Sequence, residues 1–384
     1  MRTPIFLVRK TILHAVHSAQ ANGQLPEQII HDPAVEKPHD IKRGDYASSL
    51  PLKLSRDFAM DPIIIGTAIL DNLTEEHISH TAEIVSPGFI NIRISDEWLL
   101  DQINLVRENP DSYFHQDLGQ GKKVQVEYIS ANPTGRLHVA HARGAVIGST
   151  LANILRTTGY HVQEEYYLND QGNQIAKFNE SLLVRYKQLF GADIALPDGG
   201  YPGEDVTEAA KELRAQYGNR FEDVSLEEAL STIDRTGIEI MVEKIMDDIK
   251  SLEISFDSWF SEASLFETGR FQECMEILGQ KDLTVKMDGA TWLLSKNLGE
   301  EKNNVLIKST GSPTYFATDI AYHYDKFTDK NFDYVIDVWG ADHQGQVQRL
   351  KSALSTLGIN PDNLKIILVQ MVRFKSGATS ERLS

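Results

Sequence analysis

VEYISANPTGRLHVAHARGAVIG, residues 126–148, contains the end of a predicted strand, a sharp turn and the beginning of a predicted helix. Apolar residues follow helical spacing from Val139 onward, and Gly159 stands where a glycine can end the helix. A second strand pattern, HVQEEYYL, follows at 161–168. Strand, helix and strand in this order predict two parallel strands joined by a right-handed crossover.

A similar pattern returns near the other end of the chain. A strand pattern at 332–340 is followed by a helix pattern at 344–358 and another strand pattern at 364–372. Residues from about 172 to 255, between the two units, have mostly helical patterns. Two such units separated by a helical insertion predict an α/β fold with a doubly wound parallel sheet of the Rossmann-like type.

The first third of the chain has a different pattern. An opening helix precedes two strand patterns in HISHTAEIVSPGFINIRIS, residues 77–95, where Pro87 and Gly88 predict a turn. A polar segment rich in turn-forming residues follows these strands. We therefore expect a small α+β domain over residues 1–112 and the Rossmann-like domain over residues 113–384.

The composition limits where the protein acts and what it binds. The 384 residues carry a formal net charge of −17, which argues against binding nucleic acid through a large basic face of this chain alone. Cys274 is the only cysteine, so the sequence excludes an internal disulfide and a cysteine-based zinc cluster. No apolar run reaches the roughly 20 residues that span a bilayer. We expect a monomeric cytoplasmic protein that does not enter membranes.

The turn between the first strand and its helix predicts an anion site. Ligands of doubly wound sheets bind beyond the carboxyl ends of the strands, where Pro133-Thr134-Gly135 lies. His138 and His141 fall on one face of the first helical turn, and helix N-termini attract anions. Two imidazoles placed there could donate to the phosphates of a nucleotide. Such a pair also arises from packing alone; a metal site is not predicted, because no acidic third ligand stands at a familiar spacing.

The same segment resembles a known signature. SANPTGRLHVAHARGAVIG, residues 130–148, resembles the HIGH signature of class I aminoacyl-tRNA synthetases, and its flanks resemble arginyl-tRNA synthetases. In the first domain, GDYAS at 44–48 and PGFINIRI at 87–94 resemble the N-terminal domain of that family. Further similar segments are EYYLNDQGNQI, FDSWFSEASLF, DGATWLLS, KSTGSPTYFATDIAYH and VIDVWGADHQGQVQRLK.

The resemblance implies an arginine–tRNA ligase. Such an enzyme joins L-arginine to ATP, which is supplied with Mg²⁺, and passes the arginyl group to tRNA(Arg). It implies that His138 and His141 are catalytic donors to the reacting phosphate, and that the first domain contacts the elbow of the tRNA. The implied ATP-binding residues are Pro133, Gly135, His138, Ala140, His141, Gly340 and Asp342.

The positive charge of the arginine side chain and the family resemblance together suggest how the protein holds this amino acid. A guanidinium is a planar fork of five donors, which carboxylates meet with paired hydrogen bonds. Tyr315 and Asp319 are four residues apart, so a helix would place them on one face. Taken singly, these residues also fit ordinary roles, such as an ion pair for Asp319 or a helix cap for Asp342. The implied arginine-binding residues are Asn132, Glu262, Tyr315, Asp319 and Gln346.

Two features depart from the family pattern. Ala140 stands where the signature usually has a glycine, and its methyl group would narrow the adenine pocket. The chain ends at SGATSERLS, residues 376–384, where RLS resembles the start of the lysine-bearing KMSKS loop. Lacking those lysines and an anticodon-binding domain, the chain is expected to be an N-terminal fragment with little or no activity. The alternatives are a class I synthetase for another amino acid, a non-catalytic RNA-binding paralogue and a metal hydrolase.

Overall fold

The chain divides into two compact units, Met1–Gln116 and Asp117–Ser384. The predicted boundary after residue 112 lies slightly before this division. Leu383 and Ser384, which end the segment compared with the KMSKS loop, lie outside the described residues. The computed structural model describes residues 3–78, 80–233, 235–295, 302–370, 372–376 and 379–382.

The first unit is an antiparallel four-stranded sheet with helices packed on it. Its opening helix begins where the Thr3 hydroxyl accepts the backbone N–H of Phe6 and Pro4 occupies the first helical position. The predicted hairpin around Pro87 and Gly88 forms one edge strand of the sheet and the central strand next to it. The elements are α1 (Pro4–Ala21), β1 (Val35–Glu36), β2 (Tyr46–Ser48), α2 (Leu50–Phe58), α3 (Pro62–Leu70), β3 (His80–Val85), β4 (Phe89–Ile94) and α4 (Asp96–Glu108).

The second unit contains a five-stranded parallel sheet, a three-stranded antiparallel sheet and a two-stranded hairpin. Its strands are β5 (Lys123–Glu127), β6 (His161–Leu168), β7 (Ser258–Ser261), β8 (Thr284–Met287), β9 (Ala290–Leu293), β10 (Asn304–Ile307), β11 (Tyr334–Gly340), β12 (Leu364–Val369), β13 (Arg373–Ser376) and β14 (Thr379–Arg382).

The helices of the second unit form the crossovers of the sheet and the predicted helical insertion. Four of them, α6 to α9 below, make up the insertion between β6 and β7 and surround an apolar core that includes Phe178, Leu213 and Met241. The helices are α5 (Val139–Thr157), α6 (Asn173–Gln188), α7 (Glu204–Tyr217), α8 (Leu226–Ile233), α9 (Thr236–Ser251), α10 (Ala263–Glu267), α11 (Arg270–Gln280), α12 (Tyr315–Thr328) and α13 (Gln344–Thr356).

The order of the parallel strands confirms the predicted doubly wound fold. The strands lie in the order β12-β11-β5-β6-β7, and every neighbouring pair is parallel. The chain therefore starts in the middle of the sheet with β5, builds one half outward through β6 and β7, and builds the other half through β11 and β12. The crevice between β5 and β11 is the point where the direction of winding reverses, which is where such sheets bind ligands.

The ends of the elements next to this crevice are set by individual residues. Gly159 and Gly358 follow α5 and α13 with φ angles of 87° and 92°, as expected for glycines that end helices. Strand β5 ends at Glu127, because Ile129 and Ser130 have φ angles of 68° and 43° and turn the chain out of the sheet. The loop from β5 to α5 therefore leaves the sheet abruptly at the crevice.

In the part of the chain that the structure describes, no helix is both long and apolar enough to cross a membrane.

Candidate active site

A cavity of about 490 Å³ opens beyond the carboxyl ends of β5 and β11, at the crevice where the winding reverses. Its walls come from the loop after β5, the ends of β6 and β7, the first turns of α12 and the residues that follow β11. This is the position that the sequence pattern predicted for a ligand. The predicted site residues that line it are Asn132, His141, Glu262, Tyr315, Asp319, Gly340 and Gln346.

The other predicted ATP-binding residues do not line this cavity. Pro133 is buried, Gly135 and Ala140 are half-buried, and His138 lies directly before α5. Asp342 is exposed after β11, with its carboxylate 3.9 Å from the Nε2 atom of His343. His343, not Asp342, is the N-cap of α13, so the helix-cap alternative for Asp342 is wrong. Their contacts with ATP stay predictions.

The two histidines form a stacked pair at the beginning of α5. His138 is the N-cap residue, so it precedes the first helical turn on which the sequence pattern placed it. The two rings are 3.8 Å apart between centroids and 21° from parallel. The backbone N–H of His138 donates to Nδ1 of His141 at 3.2 Å. The neutral ring of His141 therefore carries its proton on Nε2.

Burial keeps the His141 ring neutral. Loss of solvent, and secondarily the neighbouring His138, lower the pKa of His141 to about 4. At neutral pH this ring is an uncharged donor at the edge of the cavity, next to the positive end of the α5 dipole. The Nδ1 atom of His138 is buried and has no hydrogen-bond partner among the described residues. The pair thus offers fixed polar groups where an anion would meet the helix.

Glu262 is a buried carboxylate that faces the cavity. It is the N-cap residue of α10, only 6% of its surface is exposed, and the Tyr167 hydroxyl donates to it. Asn169 donates to its Oε2 atom at 3.1 Å when the amide is oriented to suit its neighbours. Burial, reinforced by the negative charges of Asp319 and Asp170, raises the pKa of Glu262 to about 7.

Asp319 is the second acidic group of the cavity, one helical turn after Tyr315 at the start of α12. Burial raises the pKa of Asp319 to about 6; His323 and His343 oppose this shift, and Glu127 and Asp337 add to it. Tyr315 is 59% exposed, so it stands at the mouth of the cavity and is not a core residue.

Beneath the cavity lies a buried network of charges that sequence reasoning missed. Lys326 is fully buried and donates to Glu127 Oε2 at 2.7 Å and to Asp337 Oδ1 at 3.0 Å. The two ring nitrogens of His323 face the Asp319 carbonyl oxygen and Asp337 Oδ2, each at 2.7 Å. The network fixes α12, and with it Asp319, against β5 and β11.

The sequence contains a signal for part of this network. Asp337 interrupts the otherwise apolar strand pattern of β11, Glu127 ends β5, and a buried charge on a strand requires a partner. The local sequence does not identify Lys326 as the partner of these acids, because Lys326 lies on a helix 199 residues away from Glu127. Tyr167 and Asn169, at and after the end of β6, were missed for the same reason.

The described residues include no group of three or more histidine, cysteine, aspartate or glutamate side chains arranged to hold a metal ion. The structure thus provides no support for the metal hydrolase alternative.

Comparison with protein families agrees with the geometry of this cavity. Residues 103–374 match the family described as class I (R) tRNA synthetases, catalytic domain. Residues 7–94 match the family described as the arginyl tRNA synthetase N-terminal domain. The two matches together cover most of the chain, and each falls mainly within one of the two units.

Individual relatives point to the same family. The arginine–tRNA ligase of Dehalococcoides mccartyi is 41% identical over 378 residues, which are 98% of this chain and 68% of that protein. The ligase of Caldanaerobacter subterraneus is 40% identical over 98% of this chain and 67% of its own length. This chain therefore spans about two thirds of the length of these relatives.

A solved structure shares the fold as well as the sequence. A crystal structure described as an arginyl-tRNA synthetase of Campylobacter jejuni has a TM-score of 0.68 and 34% identity, covering 76% of this chain and 63% of that one. The Thermus thermophilus arginyl-tRNA synthetase, at 21% identity and a TM-score of 0.60, shows the same fold. The chain belongs to the arginyl-tRNA synthetase family of class I aminoacyl-tRNA synthetases.

Proposed function

We propose that the cavity binds L-arginine and ATP, forms arginyl-adenylate and supplies the arginyl group to tRNA(Arg). The family gives the chain its activity, that of an arginine–tRNA ligase. One observation supports this choice of residues most strongly: the buried Glu262 and the half-buried Asp319 line one cavity, and among the described residues neither forms an ion pair with a lysine or an arginine.

The contrast with other buried acids explains why these two matter. Glu127, Glu165 and Asp337 each form an ion pair with a lysine of α12 or of the turn after it. None of the main influences on the pKa of Glu262 or Asp319 is a lysine or an arginine. An unpaired buried carboxylate is costly, and a guanidinium with five donors compensates two of them at once.

The remaining lining residues complete the arginine site in this proposal. Tyr315 stands at the mouth, where its ring and hydroxyl would fix the plane of the guanidinium. Asn132, whose amide donates to Gln174 at 2.8 Å, would hold the amino-acid backbone, and Gln346 would contact the substrate from the side of α13. Glu262 is held by Tyr167 and is thereby aimed into the cavity.

The ATP would lie across the beginning of α5 with its phosphates near the stacked histidines. In the reaction the arginine carboxylate attacks the α-phosphate and pyrophosphate leaves, so negative charge builds on the phosphorus. The Nε2–H group of His141 is a neutral donor fixed before the reaction, which is the arrangement that stabilises such charge. Mg²⁺ would arrive with ATP, and Gly340 would allow ATP to approach the backbone.

The wider setting is part of the same proposal. The first unit would contact the elbow of tRNA(Arg), the second unit would be the catalytic domain, and the protein would act in the cytoplasm as a monomer. The ATP-binding roles of Pro133, Gly135, His138, Ala140 and Asp342 are proposed on the family pattern.

Arginine binding is expected to weaken as the pH falls from about 8 to about 5. Both acids have raised pKa values, about 7 for Glu262 and about 6 for Asp319, so each is fully anionic only above its pKa. Below it the carboxylate is protonated and loses its attraction for a guanidinium, which stays charged throughout. Each protonated acid costs up to about tenfold in affinity per pH unit. Isothermal titration calorimetry with arginine at both pH values measures the change.

Calorimetry in two buffers with different ionisation enthalpies adds a second reading. Near pH 6.5, arginine binding should release protons, because the bound cation favours the anionic carboxylates. A lack of arginine binding at pH 8 would contradict the proposed function. Equal affinity at both pH values would contradict the assignment to Glu262 and Asp319.

A further inference from the structure

The loop that connects β5 to α5 is held at its first half by the sheet. The Tyr166 hydroxyl accepts the backbone N–H of Ala131 at 3.1 Å and donates to its carbonyl oxygen at 3.0 Å. The Ser130 hydroxyl donates to Glu127 Oε1 at 3.0 Å and accepts the N–H of Tyr167 at 3.2 Å. These contacts fix the loop as it leaves the sheet, but they end before the two histidines.

The second half of the loop is held by the helical insertion. Asp248, in the last turn of α9, accepts the backbone N–H of Leu137 and the Nε–H of Arg136, each at 3.2 Å, and also pairs with the Arg136 guanidinium. Asp205, in the first turn of α7, accepts the backbone N–H of Arg136 at 3.0 Å. Leu137 is the residue immediately before the N-cap His138.

We propose that Asp248 is a positioning residue for adenylate formation, which acts from the insertion by fixing the backbone that sets His138 and His141. This inference rests on the proposed function, since it assigns a role in that reaction. Asp205 supports the same backbone from the other side of the insertion. The insertion is then more than an addition to the sheet, because two of its helices determine where the histidine pair lies.

The geometry explains why a carboxylate is needed at this place. Two successive backbone N–H groups, those of Arg136 and Leu137, point away from α5 and cannot be satisfied by the helix they precede. Asp248 satisfies one of them and at the same time neutralises the Arg136 guanidinium beside it, and charge-assisted bonds of this kind are the stronger ones. Removing the carboxylate leaves the Leu137 N–H without this acceptor, and of the two carboxylates only Asp205, on the N–H of Arg136, still holds the turn.

The consequence should be specific to the phosphate side of the site. The histidine pair begins one residue after the anchored backbone, whereas Glu262 and Asp319 lie on α10 and α12. A displacement of about 1 Å in a catalytic group can cost on the order of 10²-fold in rate. Adenylate formation should therefore suffer while arginine affinity does not change.

The test compares Asp248→Ala and Asp248→Asn with Asp247→Ala in the same chain. Asp247 is the adjacent residue of α9, is exposed, and also contributes negative charge near Arg136, so its loss controls for charge without a loop contact. Asp248→Asn retains one acceptor for the Leu137 N–H. It is the milder variant, so it still tests the proposal if Asp248→Ala does not fold. Thermal unfolding of all three checks the fold.

Nuclear magnetic resonance of labelled histidine rings gives the decisive reading. In Asp248→Ala, the freed loop should admit water to His141, and its pKa should rise from about 4 toward the ordinary value of about 6.5. In Asp248→Asn the pKa of His141 should lie between its values in Asp248→Ala and in the unmodified chain. In Asp247→Ala the pKa of His141 should equal its value in the unmodified chain. Arginine-dependent ATP–pyrophosphate exchange, followed at a chain concentration high enough to detect the low turnover expected of it, should fall on the order of 10²-fold in Asp248→Ala, with calorimetric arginine affinity unchanged.

The outcomes separate this inference from the function on which it rests. A folded Asp248→Ala or Asp248→Asn variant whose His141 titration and exchange rate match those of Asp247→Ala would overturn the positioning role. A chain that binds no arginine would overturn the proposed function, and the His141 titration would still decide whether Asp248 holds the loop.

Discussion

Replacing Asp319 by asparagine is expected to reduce arginine affinity between about 30-fold and several thousand-fold. Removing one partner from a buried, hydrogen-bonded charge pair costs about 2–5 kcal/mol, and each 1.4 kcal/mol is a factor of about ten. The amide has nearly the same shape as the carboxylate, so the loss reports on charge. The change should leave α12 in place, because His323 contacts the backbone oxygen of Asp319 and not its side chain. Calorimetric titration with arginine measures the effect.

The matched control is Asp329→Asn. Asp329 lies at the other end of α12, where it pairs with Arg270 outside the cavity. The Asp329→Asn substitution removes the same charge at the other end of α12. It should leave arginine affinity within about twofold of that of the unmodified chain, since surface ion pairs contribute little. If Asp319→Asn bound arginine as tightly as Asp329→Asn does, Asp319 would not be a guanidinium ligand.

Replacing His141 by alanine is expected to slow adenylate formation by about 10²- to 10³-fold and to leave arginine affinity unchanged. Loss of one preorganised donor to a developing negative charge typically has this cost. The ring is neutral at physiological pH, so the loss should be nearly constant between about pH 6 and pH 8. Arginine-dependent ATP–pyrophosphate exchange measures the rate, with tRNA present and with the chain at a concentration high enough to detect the low turnover expected of it.

His161→Ala provides the comparison for this variant. His161 is an exposed histidine at the start of β6, at the opposite end of that strand from the cavity. The His161→Ala variant should catalyse ATP–pyrophosphate exchange at the rate of the unmodified chain. A His141→Ala rate within a few-fold of the His161→Ala rate would show that the Nε2–H group does not stabilise the transition state.

The sequence was sufficient to predict the fold class because the relevant signals are local. Apolar spacing and terminal glycines mark the strands and helices of both βαβ units, and only a right-handed crossover returns a helix onto its sheet. The central position of β5, by contrast, depends on pairing with β11 more than 200 residues later. No short segment encodes such a pairing, so the crevice itself was placed by analogy with other doubly wound sheets.

The site residues divide in the same way. Asp319 and Tyr315 could be assigned to one face because a helix of known pitch relates them. Glu262 could not be distinguished by pattern from Glu165, because both are buried acids, one directly after β7 and the other within β6. Only the fold shows that Glu165 is paired with Lys330 while Glu262 meets Tyr167 and Asn169.

Asp248 shows a further limit of sequence reasoning. It is one of several acids on an amphipathic helix, and its neighbour Asp247 has the same local context. What distinguishes it is the backbone of a loop that lies 111 residues earlier in the chain. Such a contact becomes visible only when the insertion has folded onto the loop.

Calorimetric titration of the chain with L-arginine and with L-citrulline, near pH 8, tests most directly whether the cavity recognises a guanidinium. Citrulline has nearly the same shape, but its terminal urea is uncharged. Because Glu262 and Asp319 would face that uncharged group unpaired, arginine should bind at least about 10²-fold more tightly. Equal affinity for the two compounds, or binding of neither, would contradict the assignment of this cavity to arginine.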